Sequence, residues 1–254
     1  MTSLPLQNKV AVVTGASRGL GAGMALELAS RGASILLTYT SPTSLPLVDA
    51  LRSRIRTPSH AVRVDLSTPS AAATVLSALD AWLGPDSHVH ILVNNAAVEV
   101  VKPLGTITIS DYETVFDLNV RGPLLLTQGL LPRFDPAGKN RIINIGSVGA
   151  RCGFAQLGLY CSSKAALEGL TRCWAAELGR DGTTVNQVNP GPVQTAMLEN
   201  IPREIVDGQK ARTPVGNRVG TVEEVARIVA WLAGEESSWV SGQVVSASGG
   251  LEMY

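Results

Sequence analysis

The sequence lacks an excess of charge of either sign. Its 21 lysines and arginines balance 21 aspartates and glutamates, and charged residues make up 17% of the 254 residues. A protein that binds nucleic acid or an anionic membrane surface usually carries a clustered basic excess, so this balance favours neither partner. Hydrophobic residues account for 45% of the chain, which is typical of a folded globular protein. We predict a neutral, soluble protein that binds no nucleic acid.

Long hydrophobic segments are also missing. The chain contains no run of about 18 apolar residues, the length that a membrane-spanning helix requires. Its first residues, MTSLPLQNKVAVVTG, have no apolar centre of a secretory signal, and its last residues, LEMY, match no lipidation or retention signal. We therefore expect a cytoplasmic protein with no membrane partner.

Cysteine and histidine are scarce, with three of each. Cys152, Cys161 and Cys173 contain no C-x-x-C pair, so reduced, packed thiols are a simpler interpretation than a disulfide framework. His88 and His90 alternate at the start of an apparent strand, but no nearby Cys, His or Asp completes a ligand set. The sequence predicts no metal site.

Short apolar runs alternate with longer segments of helical periodicity along the chain. We predict strands at 9–15, 34–39, 60–66, 90–96, 140–147, 183–191 and 242–250. Helices are predicted at 20–32, 47–55, 70–83, 110–132, 160–179 and 221–234. This alternation indicates right-handed βαβ units in one α/β domain, 1–254, with a doubly wound parallel sheet covered by helices on both faces. Ligands of such sheets bind at the carboxyl ends of the strands.

A glycine-rich turn, VVTGASRGLGAG, joins the first strand to the first helix. Gly15, Gly19 and Gly21 differ in spacing from the usual G-x-G-x-x-G pattern but can meet the same needs. They allow a tight turn, close approach of the backbone to a pyrophosphate, and close packing of the helix on the sheet. The helix N-terminus adds free N–H groups and a positive dipole end. Together with its place after the first strand, the turn predicts a dinucleotide site.

The end of the second strand, LLTYTS, contains no carboxylate. An acidic residue there would bond the ribose 2′-hydroxyl of NAD and repel the 2′-phosphate of NADP. Tyr39, Thr40 and Ser41 instead offer hydroxyls, and Arg18 of the glycine-rich turn offers a guanidinium. These features favour NADP(H), although a solvated surface role is the alternative for Arg18.

Tyr160 and Lys164 lie four residues apart in a segment with helical periodicity. The two side chains could simply lie on a solvent-exposed helix face, with no role in catalysis. Alternatively, the ammonium could lower the pKa of the phenol, which is ordinarily near 10, and make it a usable acid. A Y-x-x-x-K pattern alone is common by chance and does not decide between the two.

Several motifs occur in a fixed order, and with them the chain resembles the short-chain dehydrogenase/reductase family over nearly its whole length. The motifs are TGASRGLG (14–21), VDL (64–66), NNAA (94–97), LNVRGP (118–123), IGS (145–147), YCSSK (160–164), NPGPVQT (189–195) and SGG (248–250). The resemblance implies a Rossmann-like fold and an NADP(H)-dependent oxidoreductase. The chain departs from the family pattern at Leu20, Ala97 and Ser248, where Ile, Gly and Asp are more usual.

The resemblance implies a catalytic tetrad of Asn119, Ser147, Tyr160 and Lys164. Tyr160 would give a proton to the carbonyl oxygen, and Lys164 would lower the pKa of Tyr160 and hold the nicotinamide ribose. Ser147 would bond the substrate oxygen, and Asn119 would anchor a water that passes protons to Lys164.

The resemblance also implies cofactor contacts along the motifs. Asp65 and Leu66 would meet the adenine, and Asn94 would contact the adenosine ribose and stabilise the central strand. Val193 would meet the nicotinamide carboxamide, and Thr195 would bond the carboxamide or a phosphate. For Asp65 the alternative is a cap on the following turn, and the prolines and glycine of NPGPVQT would also suit an ordinary turn. The full implied set is Gly15, Ser17, Arg18, Gly19, Leu20, Gly21, Tyr39, Thr40, Ser41, Asp65, Leu66, Asn94, Ala96, Tyr160, Lys164, Pro190, Gly191, Val193 and Thr195.

The segment 192–217 would be a lid over the substrate. Its apolar residues favour a hydrophobic or cyclic ketone, with ordinary packing as the alternative; they are Met197, Leu198, Ile201 and Ile205. A second wall would include Arg151, Cys152 and Phe154. The stretch LLTYTS is similar to that of the family's fungal polyketide (naphthol) reductases, which indicates a secondary-metabolic ketone.

We therefore predict an NADPH-dependent reductase that acts on a small-molecule carbonyl or alcohol. Oxidation of an alcohol or reduction of an imine on the same site, and a non-catalytic cofactor-binding scaffold, remain alternatives. In the family, the helices corresponding to 110–132 and 160–179 form the main dimer interface. Their apolar residues Leu124, Leu125, Leu167, Leu170 and Trp174 therefore fit a dimer or tetramer.

Overall fold

The computed structural model describes residues 4–196, 198–201 and 203–254. Within them, seven parallel strands form one sheet in the order β3-β2-β1-β4-β5-β6-β7. The strands are β1 Val10–Val13, β2 Ser34–Tyr39, β3 Ser59–Arg63, β4 Ile91–Asn94, β5 Arg141–Ile145, β6 Thr184–Pro190 and β7 Val244–Ala247. The strand order reverses between β1 and β4, which is where such sheets bind ligands. The predicted doubly wound α/β fold is confirmed.

The helices connect successive strands. They are α1 Gly19–Ser30, α2 Leu45–Arg54, α3 Ala71–Leu83, α4 Ile109–Phe116, α5 Gly122–Leu130, α6 Gly158–Leu178, α7 Arg203–Arg212 and α8 Val222–Leu232. The predicted helix at 110–132 is divided, because a π-helical turn, Asp117–Arg121, separates α4 from α5. Helix α7 lies inside the predicted lid segment, where the sequence analysis assigned no helix.

Alternate residues of each central strand face two hydrophobic cores. In β1, Ala11 and Val13 pack into a core that includes Leu28 of α1, whereas Val12 packs into a core that includes Leu79 of α3. Helices therefore cover both faces, which explains why β1 is apolar along its whole length. No helix in the described part of the chain combines the length and apolar character needed to cross a membrane.

Several apolar residues assigned to a subunit interface contribute to the cores instead. Leu167 and Trp174 of α6 are buried in the monomer, and Leu170 packs against the same core as Trp174. Leu124 of α5 stays exposed, as do Ile109 and Tyr112 of α4. The sequence could not separate these groups, because core and interface positions carry the same residue types.

Helix α8 begins with a reciprocal pair of hydrogen bonds. The Thr221 Oγ1 accepts from the Glu224 backbone N–H at 3.3 Å, and the Glu224 carboxylate accepts from the Thr221 N–H at 2.8 Å. Such a capping box satisfies N–H groups that have no partner within the helix. Because α8 packs against α1 and the first core, its start contributes to the stability of the sheet.

We predict that Thr221→Ala lowers the free energy of unfolding by about 1 kcal/mol, because the cap is lost. Urea denaturation followed by circular dichroism measures this change. Thr74→Ala, an exposed threonine inside α3, is the matched control and should change stability by less than about 0.5 kcal/mol. Equal effects of the two substitutions would show that the cap does not stabilise the protein.

Candidate active site

The first strand-to-helix turn has three positions that favour glycine over any residue with a side chain. Gly15 and Gly19 have φ angles of +62° and +56°, the left-handed region that side chains rarely adopt. A Cβ on Gly21 would lie 2.4 Å from the Gly15 carbonyl oxygen, and one on Gly15 would lie 2.9 Å from the Ala96 Cα. No described side chain caps the N-terminus of α1, whose first residue is Gly19. The N–H groups of this turn can therefore bind an anion.

A cleft of about 440 Å³ runs along the carboxyl edge of the sheet from this turn to α7. It brings together most of the residues that the sequence predicts for cofactor binding and catalysis. They are Gly15, Ser17, Arg18, Gly19, Leu20, Gly21, Tyr39, Thr40, Ser41, Ala96, Ser147, Tyr160, Lys164, Pro190, Gly191, Val193 and Thr195. The residues from that set that do not line the cleft are Asp65, Leu66, Asn94 and Asn119.

Asn94 is buried within the sheet and does not line the cleft. Its amide donates to Asn144 Oδ1 at 2.9 Å and to Thr127 Oγ1 at 3.2 Å, so it links β4 to β5 and α5. The next residue, Asn95, lines the cleft and donates to the carbonyls of Thr14 and Gly15. Asn95 is not among the residues predicted from the sequence, although alternation along β4 could have identified it, because consecutive strand residues face opposite sides.

Asp65 and Leu66 also lie away from the main cleft. Asp65 borders a neighbouring cavity of about 340 Å³, which shares Thr40 with the cleft. Its carboxylate accepts from the N–H of Ser67 at 3.0 Å and from the Ser67 hydroxyl at 2.7 Å, which is the turn-capping alternative. Leu66 is buried in the second core.

Asn119 lies in the π-helical turn and acts as a bridge. Its side chain accepts from the Val98 N–H and donates to the Val98 carbonyl, both at 2.9 Å. It also donates to the Ser163 hydroxyl at 3.0 Å, and that hydroxyl donates to the Tyr160 carbonyl at 2.7 Å. Asn119 therefore connects the loop after β4 to α6, the helix that carries Tyr160 and Lys164.

Ser147, Tyr160 and Lys164 share one wall of the cleft. Ser147 follows β5, and its hydroxyl accepts from the Gly149 N–H at 3.1 Å. The Lys164 Nζ donates to the Ile145 carbonyl at 2.8 Å and lies 5.7 Å from the centre of the Tyr160 ring. Burial lowers the pKa of Lys164 to about 8. At neutral pH the lysine is therefore mostly charged but easily deprotonated.

The expected lowering of the Tyr160 pKa by Lys164 is not seen in this structure. Burial raises the pKa of Tyr160 to about 12, and the hydrogen bond with Ser147 offsets only part of that effect. The charge of the ammonium is visible in the sequence, but the loss of solvation that accompanies burial of the phenol is not. The phenol is therefore protonated at neutral pH, which is the state that a proton donor requires.

The outer walls of the cleft are mainly apolar. Phe154 and Leu157 precede α6, and Leu198 and Ile201 come from the predicted lid segment. Ile205 is 47% exposed and does not line the cleft, and Met197 lies outside the described residues. Arg151 and Cys152 do not line it either. The Arg151 guanidinium bonds Glu168 at 3.0 Å and stacks on the ring of Tyr254.

The two departures from the family motifs that bear on this region are accommodated locally. Ala97 lines the cleft next to Ala96. Ser248 replaces the more usual acidic residue with its hydroxyl, which accepts from the Glu252 N–H at 3.3 Å and bonds the Glu252 carbonyl at 3.2 Å. The end of the sheet is therefore still held by a side-chain hydrogen bond. No described cluster of His, Cys, Asp and Glu has the arrangement of a metal site.

This fold and cleft define a dinucleotide-dependent oxidoreductase, and comparison with known proteins agrees. The sequence model of a family described as "Enoyl-(Acyl carrier protein) reductase" matches residues 15–252. A curated relative, short-chain dehydrogenase/reductase FrzI from Cladobotryum sp, is 41% identical, over 97% of this chain and 96% of the relative. Hydroxynaphthalene reductase-like protein Arp2 from Metarhizium anisopliae is 37% identical, over 98% and 97% of the two chains.

Solved structures show the same relationship. A short-chain dehydrogenase/reductase from Serratia marcescens superposes with a TM-score of 0.90 at 34% identity, covering 98% of this chain and all of the other. A blue fluorescent protein from a metagenomic library, solved in complex with NADPH, superposes with a TM-score of 0.90 at 36% identity and 98% and 100% coverage. The chain belongs to the short-chain dehydrogenase/reductase family, as the resemblance predicted, and is an enzyme.

We predict that Gly21→Ala weakens NADPH binding by about tenfold or more, equivalent to about 1.4 kcal/mol. The new methyl group would meet the Gly15 carbonyl, and the backbone of the turn would have to move. Tryptophan fluorescence titration measures the affinity. Gly169→Ala adds a methyl group in open space on α6 and should bind NADPH as the wild type does. Unchanged binding by both variants would contradict a role for this turn.

Proposed function

We propose that the protein reduces a ketone to an alcohol with NADPH and that Tyr160 is the general acid. One observation carries the proposal: Ser147, Tyr160 and Lys164 form one wall of a cleft that starts at the glycine-rich turn. A serine hydroxyl, a protonated phenol and a buried ammonium are the groups needed to bind a carbonyl oxygen and to protonate it. The reductase names of the curated relatives support the same direction of reaction.

The residues present fit a dinucleotide. The backbone of the turn at Gly15 and Gly21 excludes even a Cβ, so it can approach a pyrophosphate closely. Lys164, at the other end of the cleft, could hold the hydroxyls of the nicotinamide ribose. Val193 and Thr195 line the cleft on the loop after β6, and Thr195 lies next to Gly19 of the glycine-rich turn. When bound, NADPH supplies the hydride for the carbonyl carbon.

The choice of NADPH over NADH rests on the residues after β2. Tyr39, Thr40 and Ser41 line the cleft there, and no carboxylate occurs among residues 39–44. The exposed side chain of Arg18 borders the same end of the cleft. A guanidinium with neighbouring hydroxyls can bind a 2′-phosphate, and nothing in this segment repels one.

In the proposed reaction the chain handles the proton and the developing negative charge. The Ser147 hydroxyl donates to the carbonyl oxygen, and Tyr160 transfers its proton to that oxygen as negative charge develops there. The Lys164 ammonium then stabilises the phenolate until a proton returns. Asn119 keeps α6 in place through Ser163, so it positions Tyr160 without lining the cleft.

The substrate proposed is a hydrophobic or cyclic ketone. Phe154, Leu157, Leu198 and Ile201 give the outer cleft apolar walls, which suit a ring. The hydroxynaphthalene reductases among the curated relatives are named for cyclic substrates. We also propose a homo-oligomer, in which the exposed Leu124, Ile109 and Tyr112 of α4 and α5 would be covered by a second copy.

Tyr160→Phe should lower kcat for NADPH-dependent reduction of a cyclic ketone by about 100-fold or more, because the proposed general acid is lost. NADPH binding should be unchanged, since the ring is retained. Reaction rates are followed by NADPH absorbance and products by chromatography, which also tests alcohol oxidation and imine reduction. Tyr112→Phe, which removes an exposed phenol outside the cleft, is the control. Reductase activity of Tyr160→Phe at the wild-type level would contradict the role of Tyr160 as general acid. Unchanged biological function without catalysis would favour a cofactor-binding scaffold.

Arg18→Ala should weaken NADPH binding by about tenfold to a hundredfold, the usual value of hydrogen bonds to a charged group. NADH binding should not change, because NADH has no 2′-phosphate. Parallel fluorescence titrations with both cofactors measure the two affinities. Arg54→Ala, an exposed arginine at the end of α2, controls for the loss of one positive charge. Tighter binding of NADH than NADPH by the wild type would overturn the assignment.

A further inference from the structure

Glu99 places a carboxylate in the part of the cleft that holds the catalytic residues. It lies on the loop after β4, next to Val98, whose backbone is hydrogen-bonded to Asn119. It lines the same cleft as Tyr160. Its negative charge is close enough to contribute to the raised pKa of Tyr160. Glu99 is therefore near the reacting end of the cleft and not at its rim.

The Glu99 carboxylate has no partner within the described residues. Its Oε1 is shielded from solvent and accepts no hydrogen bond, and no described cation forms an ion pair with it. Burial raises the pKa of the carboxyl, which shows that its surroundings do not stabilise the charge. Most buried polar atoms in native proteins are hydrogen-bonded, so an unpaired carboxylate oxygen in a cleft requires an explanation.

A second acceptor in the same cleft is unpaired in the same way. Gln209 of α7 lines the cleft, and its Oε1 is shielded and without a hydrogen-bond partner among the described residues. The loop after β4 and the lid helix therefore each place a side chain with an unpaired acceptor on the wall of the cleft. Phe154 and Leu157, which also line the cleft, are apolar and cannot donate a hydrogen bond to either acceptor.

We propose that Glu99, together with Gln209, determines specificity by accepting a hydrogen bond from a hydroxyl or ammonium group of the substrate. The description of that substrate as a ketone rests on the proposed function. A cleft that buries unpaired acceptors rejects a ligand that lacks the donor, because the acceptors would then stay desolvated and unpaired. The natural substrate would thus be a cyclic ketone with a polar donor group, and not a plain hydrocarbon ketone.

The test compares cyclohexanones that carry one substituent at ring carbon 3 or 4, counted from the carbonyl carbon. The substituent is a methyl, a hydroxyl or a dimethylamino group. The dimethylamino compound is an ammonium at neutral pH. The wild type should show a kcat/KM at least about tenfold higher for a donor-bearing ketone than for its methyl analogue, as a hydrogen bond to a charged acceptor predicts. Glu99→Leu should abolish that ratio, and Gln209→Leu should reduce it.

Glu99→Gln separates the two donors. It keeps an acceptor oxygen and removes the charge, so a hydroxyl preference should largely survive while an ammonium preference should fall about tenfold. Glu177→Gln, an exposed glutamate of α6, is the matched control and should leave all ratios unchanged. The same methyl-to-donor ratio in the wild type and in Glu99→Leu would overturn the proposal.

Binding measurements distinguish this proposal from the proposed reaction. The same compounds are titrated into the NADP⁺-bound protein and followed by tryptophan fluorescence. If no ketone is reduced, donor-dependent binding that Glu99→Leu abolishes still supports recognition by Glu99, while the proposed reaction fails. Equal or undetectable binding of the donor compounds to the wild type contradicts the role of Glu99 itself.

Thermal unfolding supplies the control for folding. Because the carboxylate is half-buried without a partner, Glu99→Leu and Glu99→Gln should unfold at or above the wild-type temperature. A marked loss of stability in both variants would show that the carboxylate supports the fold instead of the ligand, and would also count against the proposal.

Discussion

The close contact between the loops after β1 and β4 is the constraint on which the rest of the site depends. The Thr14 hydroxyl accepts hydrogen bonds from the backbone N–H groups of Asn95 and Ala96. The side-chain amide of Asn95 donates hydrogen bonds to the carbonyls of Thr14 and Gly15. These bonds fasten the two halves of the sheet where the strand order reverses. They also hold the loop that continues to Val98, and so the position of Asn119 follows from them.

A chain of buried amides and hydroxyls then fixes α6 on the sheet. Asn144 of β5 donates to Thr171 of α6 at 2.8 Å, and Gln187 of β6 donates to the Lys164 carbonyl and to Asn189. Each of these polar groups is hydrogen-bonded in an environment of low polarity, where leaving a buried polar group unpaired would cost free energy. These bonds to the sheet therefore help to fix the position of the helix that carries Tyr160 and Lys164.

The order of strands and helices and most of the cleft could be predicted from the sequence, because glycine placement and strand ends determine which residues meet at a sheet edge. The division of the helix at Asp117–Arg121 and the effect of burial on Tyr160 could not be predicted. Each of these depends on packing between segments distant in sequence. Glu99 was missed for a related reason: a single carboxylate in a loop carries no pattern, and its lack of a partner is visible only in three dimensions.

The π-helical turn at Asp117–Arg121 changes the direction in which the side chains after it project from an otherwise continuous helical segment. A π turn contains an extra residue, which rotates the following helix by about 100° relative to an uninterrupted α-helix. Helix α4 can therefore contact α6, while α5 packs against α3 and the second core. Because Asn119 lies at the point of rotation, its inward direction is a property of helix register. Deleting one residue here would keep every side chain of the site in the sequence and still separate Asn119 from Val98 and Ser163.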